Sequence, residues 1–318
     1  MILRRKSKKV QMHHDHCLLM LEIPRENDKK ELAAEQMLAA LHGILRSRRE
    51  LRLSGTLQEH ISLEIAAKGQ RIRFYIWTPK HLQAFVEGQI YAQYPTVQIT
   101  QQETDYSERH LEQTVIHTTE LTLTENETIP IKTFLSFEVD PLASITATLA
   151  KLDKQEEEMW IQITARPIAD DWHKRGAKMI ARINGGRGML GGGAATLSYA
   201  GQAFAALVRP PASDGKEAGA PELSERDKAR ITAIETKSTK LGYQVKIRLL
   251  YAGNDTRTAQ LRMQALVGAF KQFNTTNLNG FKVKSSSFKA DKQLEYQTRF
   301  FIDHGFILNI EELASLFH

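Results

Sequence analysis

The chain of 318 residues contains one cysteine, Cys17, and no run of the roughly 18–20 apolar residues that a membrane-spanning helix needs. A single cysteine excludes an internal disulfide framework and is typical of a reducing compartment such as the cytoplasm. The Arg- and Lys-rich start lacks the apolar core of a signal peptide. With 42% hydrophobic and 25% charged residues, the composition predicts a soluble globular protein of about two domains.

The sequence also lacks the residues on which phosphate chemistry depends. Residues 186–191 have the glycine spacing of a dinucleotide-binding loop, but a charged helix is predicted before them where a strand is required. Residues 188–193 have the spacing of a phosphate loop, yet Ala194 and Ala195 stand where Lys and Ser or Thr are needed. We therefore predict that the chain is not an ATPase or another enzyme, and that it holds no cofactor.

Candidate metal and catalytic residues are few. Residues 13–17 read His-His-Asp-His-Cys, but neighbours on an extended segment point to opposite sides, so at most two or three could converge. Asp170, Asp171 and His173 lie at the start of a predicted helix, where the helix dipole alone favours acids. No nucleophile, base and orienting residue follow from spacing, so we predict no catalytic and no metal-binding residues.

Positive charge is concentrated at the start of the chain. The net charge is +6, and five of these charges belong to a basic arm at residues 1–14, namely to Arg4, Arg5, Lys6, Lys8 and Lys9. Residues 11–318 therefore carry only +1. The arm has three interpretations: a solvated tail, a flank just inside a membrane segment that faces anionic lipid, and an arm that binds nucleic acid.

Residues 15–103 show a β-α-β-β-α-β order. Alternating patterns predict strands at 17–23, 60–66, 72–77 and 97–99, and helical stripes follow Asp28 and the Thr78-Pro79 pair. This is the order of a ferredoxin-like fold, in which two amphipathic helices cover one face of a four-stranded antiparallel sheet.

The same order recurs in residues 129–290, after a polar linker at 104–128 with one plausible strand around 121–123. Strands are predicted at 131–139, 159–163, 243–251 and 281–288, with helices from Asp140-Pro141 and over 256–273. A long insertion at 169–241 separates the second and third strands and includes a helix capped by Ser224. We therefore predict an α+β protein of two ferredoxin-like units in tandem.

Residues 291–318 form a connector. Phe306–Ile310 is predicted to be a strand, and Asn309 and Glu312 have the spacing of a capping box before a short apolar helix. Because the sequence stops inside that helix, we expect either a cut in the chain at this point or a continuation into a further domain.

Phe74, Tyr75 and Trp77, beside Arg71 and Arg73, also permit an RNA-binding interpretation, since ferredoxin-like sheets can stack bases on strand aromatics. Strand alternation places Phe74 on one face and the other two aromatics on the opposite face, which favours packing.

Several whole segments resemble a known family. They are IPRENDKKELAAEQMLAALHG at 23–43, RIRFYIWTPKHLQAFVEGQIYAQYP at 71–95, FLSFEVDPLASITATLAKL at 134–152, FKQFNTTNLNGF at 270–281 and FILNIEELASLFH at 306–318. They are similar to the non-ATPase N-terminal region of type IV secretion and conjugative DNA-transfer ATPases, a coupling-protein-like family. The last segment resembles the connector that precedes the RecA-like motor domain.

The resemblance implies a non-catalytic assembly or docking region that places the ATPase motor at the cytoplasmic side of the membrane, with the motor downstream or in trans. The connector residues Ile310, Leu313, Leu316 and Phe317 would dock the motor. Expected partners are the motor, other secretion-system components, an anionic membrane surface, DNA and further copies of the chain. The alternative is a nucleic-acid-binding module that uses a ferredoxin-like sheet and the basic arm.

Overall fold

The structure, a computed structural model, describes residues 16–24, 31–69, 71–108, 115–152, 157–185, 223–301 and 304–318. In this part of the chain nine strands form one sheet in which every pair of neighbours is antiparallel. The strands are β1 (His16–Glu22), β2 (Ile61–Lys68), β3 (Arg71–Pro79), β4 (Gln98–Gln101), β5 (Val115–Leu123), β6 (Glu158–Ile168), β7 (Gly242–Gly253), β8 (Phe281–Ser287) and β9 (Phe306–Asn309).

Nine α-helices are seen in the same part of the chain. They are α1 (Glu31–Leu41), α2 (Arg48–Ser54), α3 (Gln83–Gln93), α4 (Pro141–Leu149), α5 (His173–Gly185), α6 (Glu225–Lys237), α7 (Thr256–Phe270), α8 (Ala290–Gln297) and α9 (Ile310–Ala314). The predicted α+β class with an antiparallel sheet is therefore confirmed.

The strand order is β4-β1-β3-β2-β6-β7-β5-β8. Strand β9 pairs with Gly242–Val245 and β5 pairs with Ile247–Gly253, so these two strands lie end to end along one edge of β7. The first four strands and β5–β8 meet where β2 pairs with β6 over the whole length of β2. We call this β2–β6 junction the seam.

The two faces of the sheet differ at the seam. Alternation along β2 places Ile61, Leu63 and Ile65 in the large apolar core, and five helices (α1, α3, α4, α7 and α9) supply residues to that core. We call this side the helix face. The opposite side, the seam face, carries Glu64 and a smaller aromatic cluster that includes Tyr106 and Tyr296. Both faces are therefore covered at the centre of the sheet.

Many predicted elements are confirmed, and three caps are seen directly. Asp140 caps α4 by accepting a hydrogen bond from the Leu142 N–H, and Ser224 caps α6. Asn309 and Glu312 form the predicted capping box of α9, with both reciprocal hydrogen bonds present. Local signals of this kind depend on residues three or four apart and can therefore be recognised in sequence.

The predicted strand at 131–139 is wrong. This segment contains a 3-10 turn (Phe134–Ser136), and its N–H groups bond to other parts of the chain instead of to a strand. The Ile131 N–H donates to Glu312 Oε1, the Lys132 N–H donates to the Phe273 carbonyl and the Phe134 N–H donates to Ser315 Oγ. Long-range partners therefore override a favourable local pattern.

The first strand after β4 is instead β5, which lies inside the segment 104–128 that is predicted to be mainly a linker. It pairs with β7 on one edge and with β8 on the other. Its threonine-rich sequence looked polar, but β-branched threonine suits a strand. Its buried side chains alternate along the strand and are His117, Thr119, Leu121 and Leu123.

Two smaller expectations also need correction. Thr78 and Pro79 end β3 instead of capping a helix, and a 3-10 turn (Lys80–Leu82) precedes α3. The Thr78 hydroxyl has no hydrogen-bond partner among the described residues. No helix is predicted between residues 46 and 60, but Arg48–Ser54 forms α2, which begins with a capping box between Ser47 and Glu50 and ends at Gly55.

Candidate functional site

A large cluster of hydrogen-bonded polar and ionisable side chains lies on the seam face, above the β2–β6 junction. Buried and half-buried polar side chains from β2, β6, the turn after β4 and the segment around α8 converge there. We call this group the seam cluster, and its members are Ser62, Glu64, Asp105, Tyr106, Gln162, Tyr296 and Arg299. It joins residues that are up to 235 positions apart in sequence.

Glu64 is at the centre of the seam cluster and is fully buried. Its Oε1 accepts hydrogen bonds from the Ser62 hydroxyl at 2.6 Å and from Gln162 Nε2 at 3.3 Å. Its Oε2 accepts the Tyr106 hydroxyl at 2.7 Å. Because a buried carboxylate is costly unless it is paired and hydrogen-bonded, these donors explain how Glu64 is tolerated inside the sheet.

The Arg299 guanidinium forms a bidentate ion pair with the Glu64 carboxylate. Its Nε and Nη2 each lie 2.9 Å from a Glu64 oxygen, and the same guanidinium bonds both oxygens of Asp105 at 2.5 and 3.1 Å. The side chain is 1% exposed. Burial lowers the pKa of Arg299, but attraction to Glu64 and Asp105 outweighs this effect and leaves the pKa well above its ordinary value.

The two tyrosines close the seam cluster. Their hydroxyl oxygens are 3.2 Å apart, and the Tyr106 hydrogen is directed to Glu64, so Tyr296 donates to Tyr106. Burial, followed by repulsion from Glu64, raises the pKa of both phenols well above 10. Gln162 links the group to β7, since its Oε1 accepts from Arg248 Nη1 at 3.0 Å.

These contacts define what the seam cluster can do chemically. Five donors already surround the Glu64 carboxylate, both phenols are held in the protonated form, and Arg299 is committed to two acids. The arrangement suits a structural clamp, because each group that could act as acid, base or anion binder is already engaged by a neighbour.

His60 packs at the edge of the seam cluster. Its Nε2 donates to the Arg299 carbonyl oxygen at 2.9 Å, and its ring lies against Trp77 and Phe301. Burial lowers the pKa of His60 to about 3. Its imidazole is therefore neutral at physiological pH and acts as a hydrogen-bond donor to the backbone.

A second buried ion pair holds the connector. Lys237 Nζ lies 2.9 Å from Glu312 Oε2, and both side chains are 0% exposed. Lys237 also donates to the Ile307 carbonyl. Burial raises the pKa of Glu312, although Lys237 and the Asn309 N–H lower it in part. The connector is thus fixed to α6 and to the loop before α4.

The four connector residues predicted to dock a motor are Ile310, Leu313, Leu316 and Phe317. All are buried in the chain's own core, with at most 8% exposure. They anchor the connector to this chain, so a partner that docks here would meet the neighbouring exposed residues.

Within the described ranges, one group of side chains has the composition of a cation site. Ligand atoms of Glu31, Asp140 and His318 lie within 4.8 Å of one another. However, His318 directs both ring nitrogens at oxygens, Nε2 at Asp140 and Nδ1 at the Ala314 carbonyl, each at 3.0 Å. The hydrogen bond from His318 lowers the pKa of Asp140. The geometry therefore fits an ion pair, and a metal would have to displace the Nε2 proton.

The other residues singled out in the sequence are dispersed. The arm residues Arg4, Arg5, Lys6, Lys8 and Lys9, the glycine loop at 186–195 and residues 13–15 lie outside the described residues. Cys17 is buried in β1. Asp171 bonds Arg48 and Lys174 at the surface.

The strand aromatics divide as alternation predicts. Phe74 packs against the core of the helix face, whereas Tyr75 and Trp77 are buried on the seam face. The Tyr75 ring stacks on Tyr106 at a centroid distance of 4.9 Å. The packing interpretation is therefore confirmed for these residues.

Sequence reasoning missed Glu64, Asp105 and Arg299. The one local signal was a pair of polar residues, Ser62 and Glu64, on a strand whose alternate positions are apolar. Alternation treats such residues as facing solvent, and nothing in the sequence indicates that α8 and its following residues cover them.

No helix in the described ranges is both long and apolar enough to cross a membrane. The fold defines an α+β protein built on one antiparallel sheet. The family model described as "Domain of unknown function (DUF8128)" matches residues 6–318, and the chain belongs to this family. None of the curated proteins matches the chain.

Proposed function

We propose that this chain is a non-catalytic scaffold that acts as the assembly and docking region of a type IV secretion or conjugative DNA-transfer ATPase, at the cytoplasmic side of the membrane. The observation that carries the proposal is the seam. The sheet is continuous across the seam, and the seam cluster holds its two halves together. The ionisable side chains of the cluster bond to one another, which supports a structural role for this region.

The sheet with its helices is best described as two ferredoxin-like units joined edge to edge. In the first half the spatial order of β1 to β4 is 4-1-3-2, the order expected of this fold. Counted from the opposite edge, the second half has the order β8-β5-β7-β6. This is the same 4-1-3-2 order when β5 is taken as the first strand of the unit. The second strands of the two units, β2 and β6, pair to form the seam.

The docking surface that we infer is the segment 133–139, which lies against the connector. Ser315 of the connector accepts the Phe134 N–H at 2.9 Å, so the two segments are attached to each other. Leu135 and Val139 are 72% and 71% exposed. Exposed apolar side chains beside a rigidly held element are typical of a protein-binding surface.

The test is calorimetric titration of the full chain with the purified motor domain of a type IV secretion ATPase from the same genome. We expect saturable binding that falls at least about tenfold in the L135D/V139D variant, because charges would be buried at the interface. The control is L261D, at a leucine of α7 that is 58% exposed. Absence of binding by the unchanged chain, or equal loss in the control, would contradict the proposal.

The nucleic-acid alternative loses one of its two supports. Bases cannot stack on Tyr75 and Trp77 while Tyr106 and Arg299 cover them, since the Arg299 Cζ lies 5.8 Å from the ring centre of Trp77. Salt-dependent binding of DNA that disappears when residues 1–10 are removed would revive this alternative.

A further inference from the structure

A basic surface lies at one end of the sheet, where α2 and α5 begin. Residues 45–57 contain four arginines and one acid, and residues 170–185 contain four lysines or arginines and two acids. Together these segments carry a net charge of +5, so the rest of residues 11–318 carries −4. Positive charge in the body of the protein is therefore concentrated here.

The fold brings the two segments together. His42 lies in the turn before α2, and Ile168 ends β6. The distance from His42 Nε2 to the Ile168 carbonyl oxygen is 3.1 Å. Residue 170 begins the turn that leads into α5. Arg48 at the start of α2 donates to Asp171 in that turn at 2.6 Å. Helices that are 125 residues apart in sequence thus start side by side.

Several of these cations have no acidic partner among the described residues. Asp171 engages Arg48 and Lys174, and Glu127 engages Arg175. By contrast, Arg49, Arg52, Lys178 and Arg182 are exposed and form no ion pair with any described residue.

Exposed leucines accompany the arginines of α2. Leu53 is 78% exposed and Leu57 is 43% exposed, and both follow Arg49 and Arg52 closely in sequence. Guanidinium groups beside exposed aliphatic side chains fit the boundary of a bilayer, where anionic headgroups lie next to acyl chains. Nucleic acid would match the charge, but it offers no place for the leucines, and no aromatic side chain for base stacking lies among residues 45–57.

We propose that the surface formed by α2 and α5 binds the face of an anionic lipid bilayer, with Arg49, Arg52, Lys178 and Arg182 at the headgroups and Leu53 inserted between them. This inference goes beyond the proposed motor docking and stands whether or not a motor binds. Its surface does not include Leu135 or Val139.

The test is sedimentation of the full chain with vesicles of 70% phosphatidylcholine and 30% phosphatidylglycerol, compared with vesicles of phosphatidylcholine alone. We expect binding to the anionic vesicles only, with strong weakening at high salt. The R49E/R52E and K178E/R182E variants should each bind at least about tenfold more weakly, since each cation near an anionic surface contributes about fivefold. L53S should weaken binding about threefold or more, because it removes the inserted side chain.

Matched controls separate this surface from a general effect of net charge. K151E/K271E makes the same charge change at exposed lysines elsewhere, and L294S alters a leucine of α8 that is 58% exposed. Both controls should bind as the unchanged chain does. Equal binding to neutral vesicles, equal losses in the controls, or binding of duplex DNA but not of vesicles by this surface would each overturn the proposal.

Discussion

The two faces of the sheet differ in the kind of side chain that covers them. On the helix face, apolar side chains from five helices pack on the strands. On the seam face, Glu64 and Arg299 are buried together with half-buried Asp105 and with two tyrosines whose hydroxyls complete the hydrogen-bond network. The first arrangement tolerates rearrangement, whereas the second depends on each member.

This difference has a consequence for how the halves of the chain are joined. The Glu64 side chain comes from β2, and Asp105 and Tyr106 follow β4, all in the first half. Arg299 and Tyr296 come from the end of the second half. The seam cluster therefore ties both halves together across the seam, in addition to the backbone hydrogen bonds between β2 and β6.

The largest expected effect comes from removal of the central cation. Arg299→Met should lower the free energy of unfolding by about 3–5 kcal/mol, because Glu64 would be left buried without its cationic partner and half-buried Asp105 would lose its own. Urea unfolding followed by circular dichroism measures this change. Arg49→Met, at an exposed arginine, should alter stability by less than about 0.5 kcal/mol. A loss below about 1 kcal/mol for Arg299→Met would contradict the clamp.

The next experiment compares the faces directly with two neighbouring leucines of β7. Leu249 packs on the helix face and Leu250 on the seam face, and both are 0% exposed. Each change to alanine should cost about 2–5 kcal/mol. Combined with Arg299→Met, Leu249→Ala should add within about 0.5 kcal/mol, whereas Leu250→Ala should deviate by more than that, because it shares the seam face with Arg299.

These double-mutant measurements use the same urea unfolding. Equal coupling of both leucines to Arg299 would mean that the faces do not behave as separate regions.

A smaller effect concerns acid. The folded pKa of His60 is about 3, below its ordinary 6.5, so the unfolded chain binds a proton between these values and the folded chain does not. The stability is therefore fully present above pH 6.5 and decreases as the pH falls towards 3. At pH 5 this loss should be about 2 kcal/mol.

His60→Gln should remove this acid sensitivity while keeping a donor for the Arg299 carbonyl. The measurement is the free energy of unfolding at pH 5 relative to pH 7.5 in the variant and the unchanged chain. The same pH dependence in both proteins would show that His60 is not the group that titrates.

Features that depend on residues close in sequence could be predicted, and features that depend on distant residues could not. Caps at Asp140, Ser224 and Asn309 were predictable because each depends on residues a few positions away. The apolar stripe of α4, which includes Leu142, Ile145 and Leu149, was predictable from helical spacing.

The position of β5 in the sheet was not predictable in this way, since its strand character rests on threonines and on partners more than 125 residues away. The seam cluster was missed for the same reason. Glu64 looks like a solvent-facing residue of an amphipathic strand until Arg299 is brought against it. Polar residues that are buried by distant segments carry no periodic signal of their own.

The most direct test of the account is native-state hydrogen exchange at the amides of the seam, in β2 and β6. If the seam cluster holds one continuous sheet together, these amides should exchange only through global unfolding, with the same free energy as the central amides of β3 and β7. Seam amides that exchange through a separate, lower-energy opening would contradict it, because the halves would then behave as two bodies in contact.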